Sequence, residues 1–285
     1  MGYGDDLMVT AIASKIKRKY PHRQIIIGNL NKKEAYHSII YENNPNITDC
    51  RKIDLKKPVH MIDYHNGNRP YIDYENSKKF GKYIWNLSFR PQPGEFFFSK
   101  KEKLKAKKIF NSALEYWKKR SKKKYKAIIF LENSSTKIDD SQLGIKHQNK
   151  DWGKENWANL INEINNEFLI IQPKHNKTEH IENTYSTNNI NFREACAVLN
   201  HCDLYLGPEG GFGHAAAALN KKAVIYFGGW ISPETIGYSF HDNVYFKHNN
   251  SPCGEFQKIC DHCQKARKSI SVKYLSERVR KAFRN

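Results

Sequence analysis

Leu204-Tyr205-Leu206-Gly207-Pro208-Glu209-Gly210-Gly211-Phe212-Gly213-His214-Ala215-Ala216-Ala217-Ala218 decides how this chain is read. Its opening, Leu204-Tyr205-Leu206, has the apolar run of a buried strand, and its alanine-rich end has the composition of a helix. Four glycines in the turn between them let the backbone approach a ligand closely. A helix N-terminus offers unpaired N–H groups and a positive dipole end, which suits a phosphate. Glu209 adds an acceptor beside that spot and His214 a proton donor. The same glycines also suit a plain tight turn.

Apolar runs and helical patterns alternate around this stretch. Residues 127–131 (AIIFL), 169–172 (LIIQ) and 223–227 (AVIYF) read as strands buried on both faces. Helical patterns cover 157–168, 192–200, 214–219 and 272–283. This order predicts a parallel sheet with helices on both faces, a Rossmann-like α/β unit. Further upstream the pattern predicts a helix over 6–19, stopped by Tyr20-Pro21, and strands over 24–28, 59–63 and 82–86. A long helix over 99–119 places Leu104, Ile109, Phe110, Leu114 and Trp117 on its apolar side. The lysine cluster 118–124 that follows reads as a solvated boundary between two units.

The length of 285 residues allows two domains with sizeable cores. Aromatic residues at 13% argue for a folded protein despite a mean hydropathy of −0.77. Lys and Arg total 48 against 29 for Asp and Glu, a formal charge of +19 that attracts anionic partners. Part of that excess is compositional, because Lys, Asn and Ile are abundant together. No apolar run reaches the length of a membrane span, and the N-terminus does not read as a secretory signal. The six cysteines do not form an evenly spaced disulfide framework, so a reducing cytoplasm is expected.

Five ordered motifs resemble glycosyltransferase family 9, the ADP-heptose:lipopolysaccharide heptosyltransferase-like proteins. Gly4-Asp5-Asp6-Leu7-Met8 resembles the family's Gly-Asp turn opening the first helix. Lys150-Asp151-Trp152, then Trp157, resembles its Lys-x-Trp segment. Glu209-Gly210-Gly211-Phe212-Gly213-His214 resembles its Asp-Ser/Thr-Gly-x-x-His motif, with Glu where Asp is usual. Tyr226-Phe227-Gly228-Gly229 with Pro233 resembles its Phe-Gly turn, and Cys253, Cys260 and Cys263 resemble the cysteine-containing tail of many members. The family has a strand before the Gly-Asp turn, whereas three residues precede Gly4 here; either that strand is absent or the recorded start is late.

The resemblance implies a GT-B fold, two Rossmann-like domains with parallel sheets facing a cleft. Residues 1–120 would form the acceptor side and 125–270 the nucleotide-sugar side, with the terminal helix in 271–285 packing back on the first. It implies an inverting, metal-independent transfer of a sugar of the heptose type from a nucleotide-diphosphate donor to a cell-envelope glycan or lipid-linked acceptor. Asp5 would be the acceptor base, although an N-cap suits it equally. Lys150, in the polar loop His147-Gln148-Asn149-Lys150, would meet the diphosphate as a point charge. The backbone of Gly210, Gly211, Phe212 and Gly213 would take further oxygens. Glu209 would hold donor hydroxyls, and His214 would donate to phosphate or cap its helix. Lipopolysaccharide biosynthesis at the inner face of the membrane, with peripheral contact to anionic lipid, follows from the same resemblance.

The spacing Cys253-x6-Cys260-x2-Cys263 is ligand-like. Structural zinc or iron takes four ligands, with His262 or His241 as the fourth; reduced thiols in a tail loop are the alternative. Two other functions compete: a non-catalytic protein that binds nucleotide sugar or glycan, and a basic nucleic-acid-binding protein. No zinc-finger or RNP-like motif supports the second.

Overall fold

The computed structural model describes residues 2–133, 148–174, 179–249 and 251–284. Its larger sheet has six strands: β6 (Ile128–Leu131), β7 (Leu169–Lys174), β8 (Tyr185–Asn189), β9 (Leu204–Pro208), β10 (Lys222–Phe227) and β11 (Asp242–Tyr245). They lie in the order β11-β10-β9-β6-β7-β8, and every pairing is parallel. The fold is therefore α/β, as expected.

Alternate side chains of β6 feed two cores, as the pleat requires. Ile128 and Phe130 join one cluster, Ile129 and Leu131 the other. The second face is covered by α4 (Lys154–Ile164) and by the terminal helix α9 (Val272–Lys281), through Trp157, Leu160, Leu275 and Val279. The first face is covered by α3 (Lys100–Arg120), α5 (Phe192–Leu199) and α6 (Gly211–Ala218).

Before this sheet stands a smaller one. β1 (Gln24–Asn29) pairs parallel with β3 (Val59–Asp63) and antiparallel with the two-residue β2 (Glu34–Ala35). β4 (Ile72–Asp73) and β5 (Ile84–Trp85) form a separate antiparallel pair around α2 (Tyr74–Phe80), where an isolated strand over 82–86 was expected. The first half is thus an abbreviated Rossmann unit. Its helix α1 (Tyr3–Lys19) buries Leu7, Val9 and Ala13 completely. Asp6 pins this helix to the following turn, accepting from Ser38 Oγ at 2.7 Å and Tyr41 Oη at 3.2 Å.

Three expectations need correction. The helix assigned to the first unit, α3, packs on the second unit's sheet, because its small face of Ala106 and Ala113, with Trp117, fits against α5. Leu104 lies off that face and is 63% exposed. The terminal helix α9 does not return to the first half. It lies on α4, where Arg280 pairs with Glu163 at 3.0 Å and Glu167 at 2.9 Å. Among the described residues, no helix is long and apolar enough to cross a membrane.

Arg193 joins the halves from a helix that is apolar apart from it and Glu194. It is 2% exposed and pairs with Glu102 through Nε (2.6 Å) and Nη2 (3.0 Å). It also donates to the carbonyls of Ile39 (2.9 Å) and Phe97 (2.6 Å).

Candidate active site

The chain runs from β6 outward to β7 and β8, then crosses back to β9 on the other side of β6. Loops leaving β6 and β9 therefore diverge, which opens a crevice at their carboxyl ends. Glu132 and Glu209, the residues just beyond those strands, line a cavity of about 900 Å³. Its other wall comes from the first half, through Gly4, Asp5, Arg69 and Tyr71.

Asp5 sits in the first turn of α1 and is 7% exposed. Its Oδ1 accepts from Tyr71 Oη at 2.6 Å, and Oδ2 accepts from the Gly2 amide at 3.3 Å. Arg69 Nη1 lies 3.8 Å from Oδ2. The N-cap position itself belongs to Gly2, so the N-cap expectation for Asp5 is corrected: Asp5 is the third residue of the helix, its side chain accepts from the N-cap amide, and it also lines the cavity.

Lys150 and Glu209 meet directly, Nζ to Oε1 at 2.5 Å, and Nζ lies 4.8 Å from the centre of the Trp230 ring. Glu209 is therefore an ion-pair partner of Lys150, a contact the sequence did not announce. His147, in the same polar loop, lies outside the described residues.

The glycine turn divides by function. Gly210 faces open space, with no atom within 4 Å of where a Cβ would stand. Gly211 faces the Phe192 ring, 3.2 Å from such a Cβ, and Gly213 faces Ile225 at 3.3 Å, so its missing side chain serves helix-on-strand packing. The Phe212 side chain points into the core against Phe192 and Phe130, with ring centres 4.6 and 5.1 Å away. The N-termini of α1 and α6 converge here: a Cβ on Gly4 would stand 2.8 Å from His214 Cδ2 and 3.5 Å from Gly211 Cα.

His214 Nδ1 hydrogen-bonds with Tyr238 Oη at 2.9 Å. Burial lowers its pKa to about 4, against the upward pull of Asp5. It is therefore a neutral imidazole near pH 7, held by Tyr238 and backing Gly4.

The sulfur atoms of Cys253, Cys260 and Cys263 all lie within 4.8 Å of one another. Cys253 and Cys263 Sγ are 3.2 Å apart, beyond the roughly 2.05 Å of a disulfide. Hydrogen bonding from Cys263, against the effect of burial, lowers Cys253 to about 7, which favours a thiolate. Three close sulfurs with an accessible thiolate fit a soft or borderline metal. Neither histidine expected as a fourth ligand belongs to the cluster: His262 Nε2 is engaged with Ser251 Oγ at 2.5 Å, and His241 lies beside Tyr238 and Phe240.

Sequence reading missed Arg69 and Tyr71. The turn Asn66-Gly67-Asn68 was visible, but nothing local links Tyr71 to Asp5. It also missed Trp230 and Tyr238, which follow the glycine pair after β10. Arg193 did leave a signal, a lone cation inside the apolar run FREACAVL.

Solved structures share this architecture. A glycosyl transferase family 9 protein from Veillonella parvula DSM 2008 superposes with a TM-score of 0.63 at 12% identity, over 99% of this chain and 95% of that one. The iron-containing dodecameric glycosyltransferase TibC from enterotoxigenic E. coli H10407 gives 0.60 at 14% identity, over 100% and 76%. TibC in complex with ADP-D-beta-D-heptose gives 0.54 at 12% identity, over 99% and 74%. A search of curated proteins finds no match. A scan of protein families matches residues 82–264, more than half of the chain, to Glycosyltransferase family 9 (heptosyltransferase). The chain is a glycosyltransferase and belongs to glycosyltransferase family 9.

Proposed function

We propose that this enzyme moves a sugar of the heptose type from a nucleotide-diphosphate donor to a cell-envelope glycan or lipid-linked acceptor, with inversion and without a metal ion in the chemical step. The observation that carries the reading is the convergence in one cavity of a carboxylate, a cation and the N-termini of two helices. Transfer needs a base for the acceptor hydroxyl and stabilisation of the leaving diphosphate. Asp5 is the base. Its Oδ1 is occupied by Tyr71, which fixes the carboxyl plane, and Oδ2, which accepts only the longer bond from the Gly2 amide at 3.3 Å, takes the proton.

Lys150 and the amides at Gly210 to Gly213 receive the diphosphate. Lys150 exchanges part of its contact with Glu209 for phosphate, and Glu209 then turns to the donor hydroxyls. Neutral His214 braces the turn. Protein charge and the helix dipoles supply what a divalent cation would otherwise provide. The three cysteines hold zinc or iron in a structural role, outside the reaction. The basic balance brings the enzyme to anionic lipid on the cytoplasmic side.

A screen of ADP-, GDP-, UDP- and CDP-sugars for turnover, repeated in the presence of a chelator, tests this reading. Turnover of an ADP-linked heptose with inverted product anomer, persisting in chelator as long as the cysteine-bound metal stays in place, is the expected result. Salt-sensitive binding of nucleic acid, with no response to any nucleotide sugar, overturns it.

A further inference from the structure

A buried amide connects the cysteine loop to Lys150. Asn149 is 1% exposed, and its side chain is committed to a single segment. Nδ2 donates to the carbonyls of Glu255 (3.1 Å) and Lys258 (3.0 Å), and Oδ1 accepts from the Cys260 amide (2.8 Å). The Glu255 carbonyl also accepts from Trp230 Nε1 at 2.7 Å, and Trp230 is the ring facing Lys150 Nζ. The Glu255 amide donates to Cys253 Sγ at 3.5 Å. Opposite the loop, the backbone of Asn149 and Lys150 rests on Gly228, where a Cβ would stand 3.0 Å from one carbonyl oxygen and 3.3 Å from the other.

Sulfur cluster, amide and cation are therefore successive neighbours with no slack between them. A change in the spacing of Cys253 and Cys260 moves the backbone groups that Asn149 binds. Both Asn149 donors and its carbonyl oxygen are engaged with this one segment, so it cannot follow one partner without straining another.

We propose that Asn149 is a positioning residue that couples the three-cysteine cluster to Lys150, so that the loop from Cys253 to Cys263 sets the affinity for the donor diphosphate. This rests on Lys150 being the diphosphate contact. The coupling acts on ground-state binding, through where the ammonium stands, and adds no group to the reaction.

The test is a thermodynamic cycle with ADP as the probe, read by calorimetry on the full chain, with thermal melts to count folded protein. The proteins are the wild type, Asn149→Ala, Cys260→Ser, Lys150→Ala, and the two double variants that combine Asn149→Ala or Cys260→Ser with Lys150→Ala. Asn149→Ala and Cys260→Ser should each raise the ADP Kd about tenfold, and neither should add to the loss in Lys150→Ala, because both act through that ammonium. A merely structural role would not give this non-additivity. Cys260 is only half-buried, so its variant keeps the test open if Asn149→Ala fails to fold. Wild-type affinity in the single variants, or losses that add in full to that of Lys150→Ala, overturn the coupling alone. An unchanged Kd in Lys150→Ala overturns the diphosphate assignment, and the coupling with it.

Discussion

The two halves of the molecule hold their share of the cavity by different means. In the second half, a six-strand parallel sheet whose central strands carry apolar residues on both faces fixes the glycine turn from below. The cavity wall there combines the backbone of the turn, set by the register of β9 and by the start of α6, with the side chains of Lys150 and Glu209. In the first half, three short strands support a carboxylate that is oriented by side chains, Tyr71 and Arg69, and by a helix docked on α6. Donor affinity should therefore reside in the sheet of one half, and turnover in the side-chain tethers of the other.

The sharpest break between the halves is Asp5→Asn. The change is nearly isosteric and removes the proton acceptor, so turnover should fall by about 10²–10⁴ while the ADP Kd is retained. Steady-state kinetics and calorimetry on the same preparation check it. Equal losses of both would remove the division of labour.

Arg193→Ala breaks the join itself. It leaves the Glu102 carboxylate without its bidentate partner and the carbonyls of Ile39, Glu42 and Phe97 without their donor, at a cost of roughly 3–5 kcal/mol in stability. Denaturant unfolding reads this directly. A loss below about 1 kcal/mol would mean that the join rests on its other contacts, such as the Trp85 indole on the Trp230 carbonyl and Gln257 on the Gly81 carbonyl.

Acid should act through the second half. Burial holds His214 and His241 near 4, below the usual 6.5. Above pH 6.5 both are neutral, folded or unfolded, and contribute nothing to the pH dependence. As pH falls from 6.5 to 4 the unfolded chain takes up protons that the folded one refuses. Stability should therefore decline across that window by about 3 kcal/mol per histidine. Melting temperatures from pH 7.5 to 4 test the sign. Lys150→Ala should weaken ADP binding by roughly 1.5–3 kcal/mol, and it should also lower the melting temperature, because it leaves the buried Glu209 carboxylate without its partner.

Tyr71→Phe makes the smallest change. It should lower kcat by about three- to tenfold and leave the ADP Kd alone, because it frees the carboxyl to rotate without removing it. A change in ADP Kd rather than kcat would place Tyr71 on the donor side.

The same division explains what could be read from the chain. Strands buried on both faces, such as Ala127-Ile128-Ile129-Phe130-Leu131, and the glycine turn after Leu206 carry their signals locally, so the second sheet and its crevice were legible. Tyr185–Asn189 was not, because it is a polar edge strand that borrows its conformation from β7. The first half depends on contacts between residues far apart in sequence, as with Tyr71 and Asp5. Asp5, Lys150, Glu209 and the glycines could be named from motifs, but the pairing of Lys150 with Glu209 could not. The cysteine spacing identified three neighbours correctly and misjudged the fourth position, because sequence proximity placed His262 beside Cys263 while the turn of α8 (Asp261–Ser269) sends its ring to Ser251.

The contact of Gly4 with His214 has a consequence for how the enzyme comes into being. On the ribosome the first helix emerges early, and Asp5 and Asp6 meet Tyr71, Arg69, Ser38 and Tyr41 within the first half, yet the contacts of its start with Phe192 and with Gly211 to His214 form late. Closing so long a loop is slow, and its entropy is recovered only when the late contacts form. Until then Leu7, Val9 and Ala13 lack part of their cover, which makes the nascent N-terminal segment a natural client for chaperones. No nascent fragment ending before residue 214 can hold both the carboxylate and the finished turn, so catalytic competence arrives late in translation and as one event.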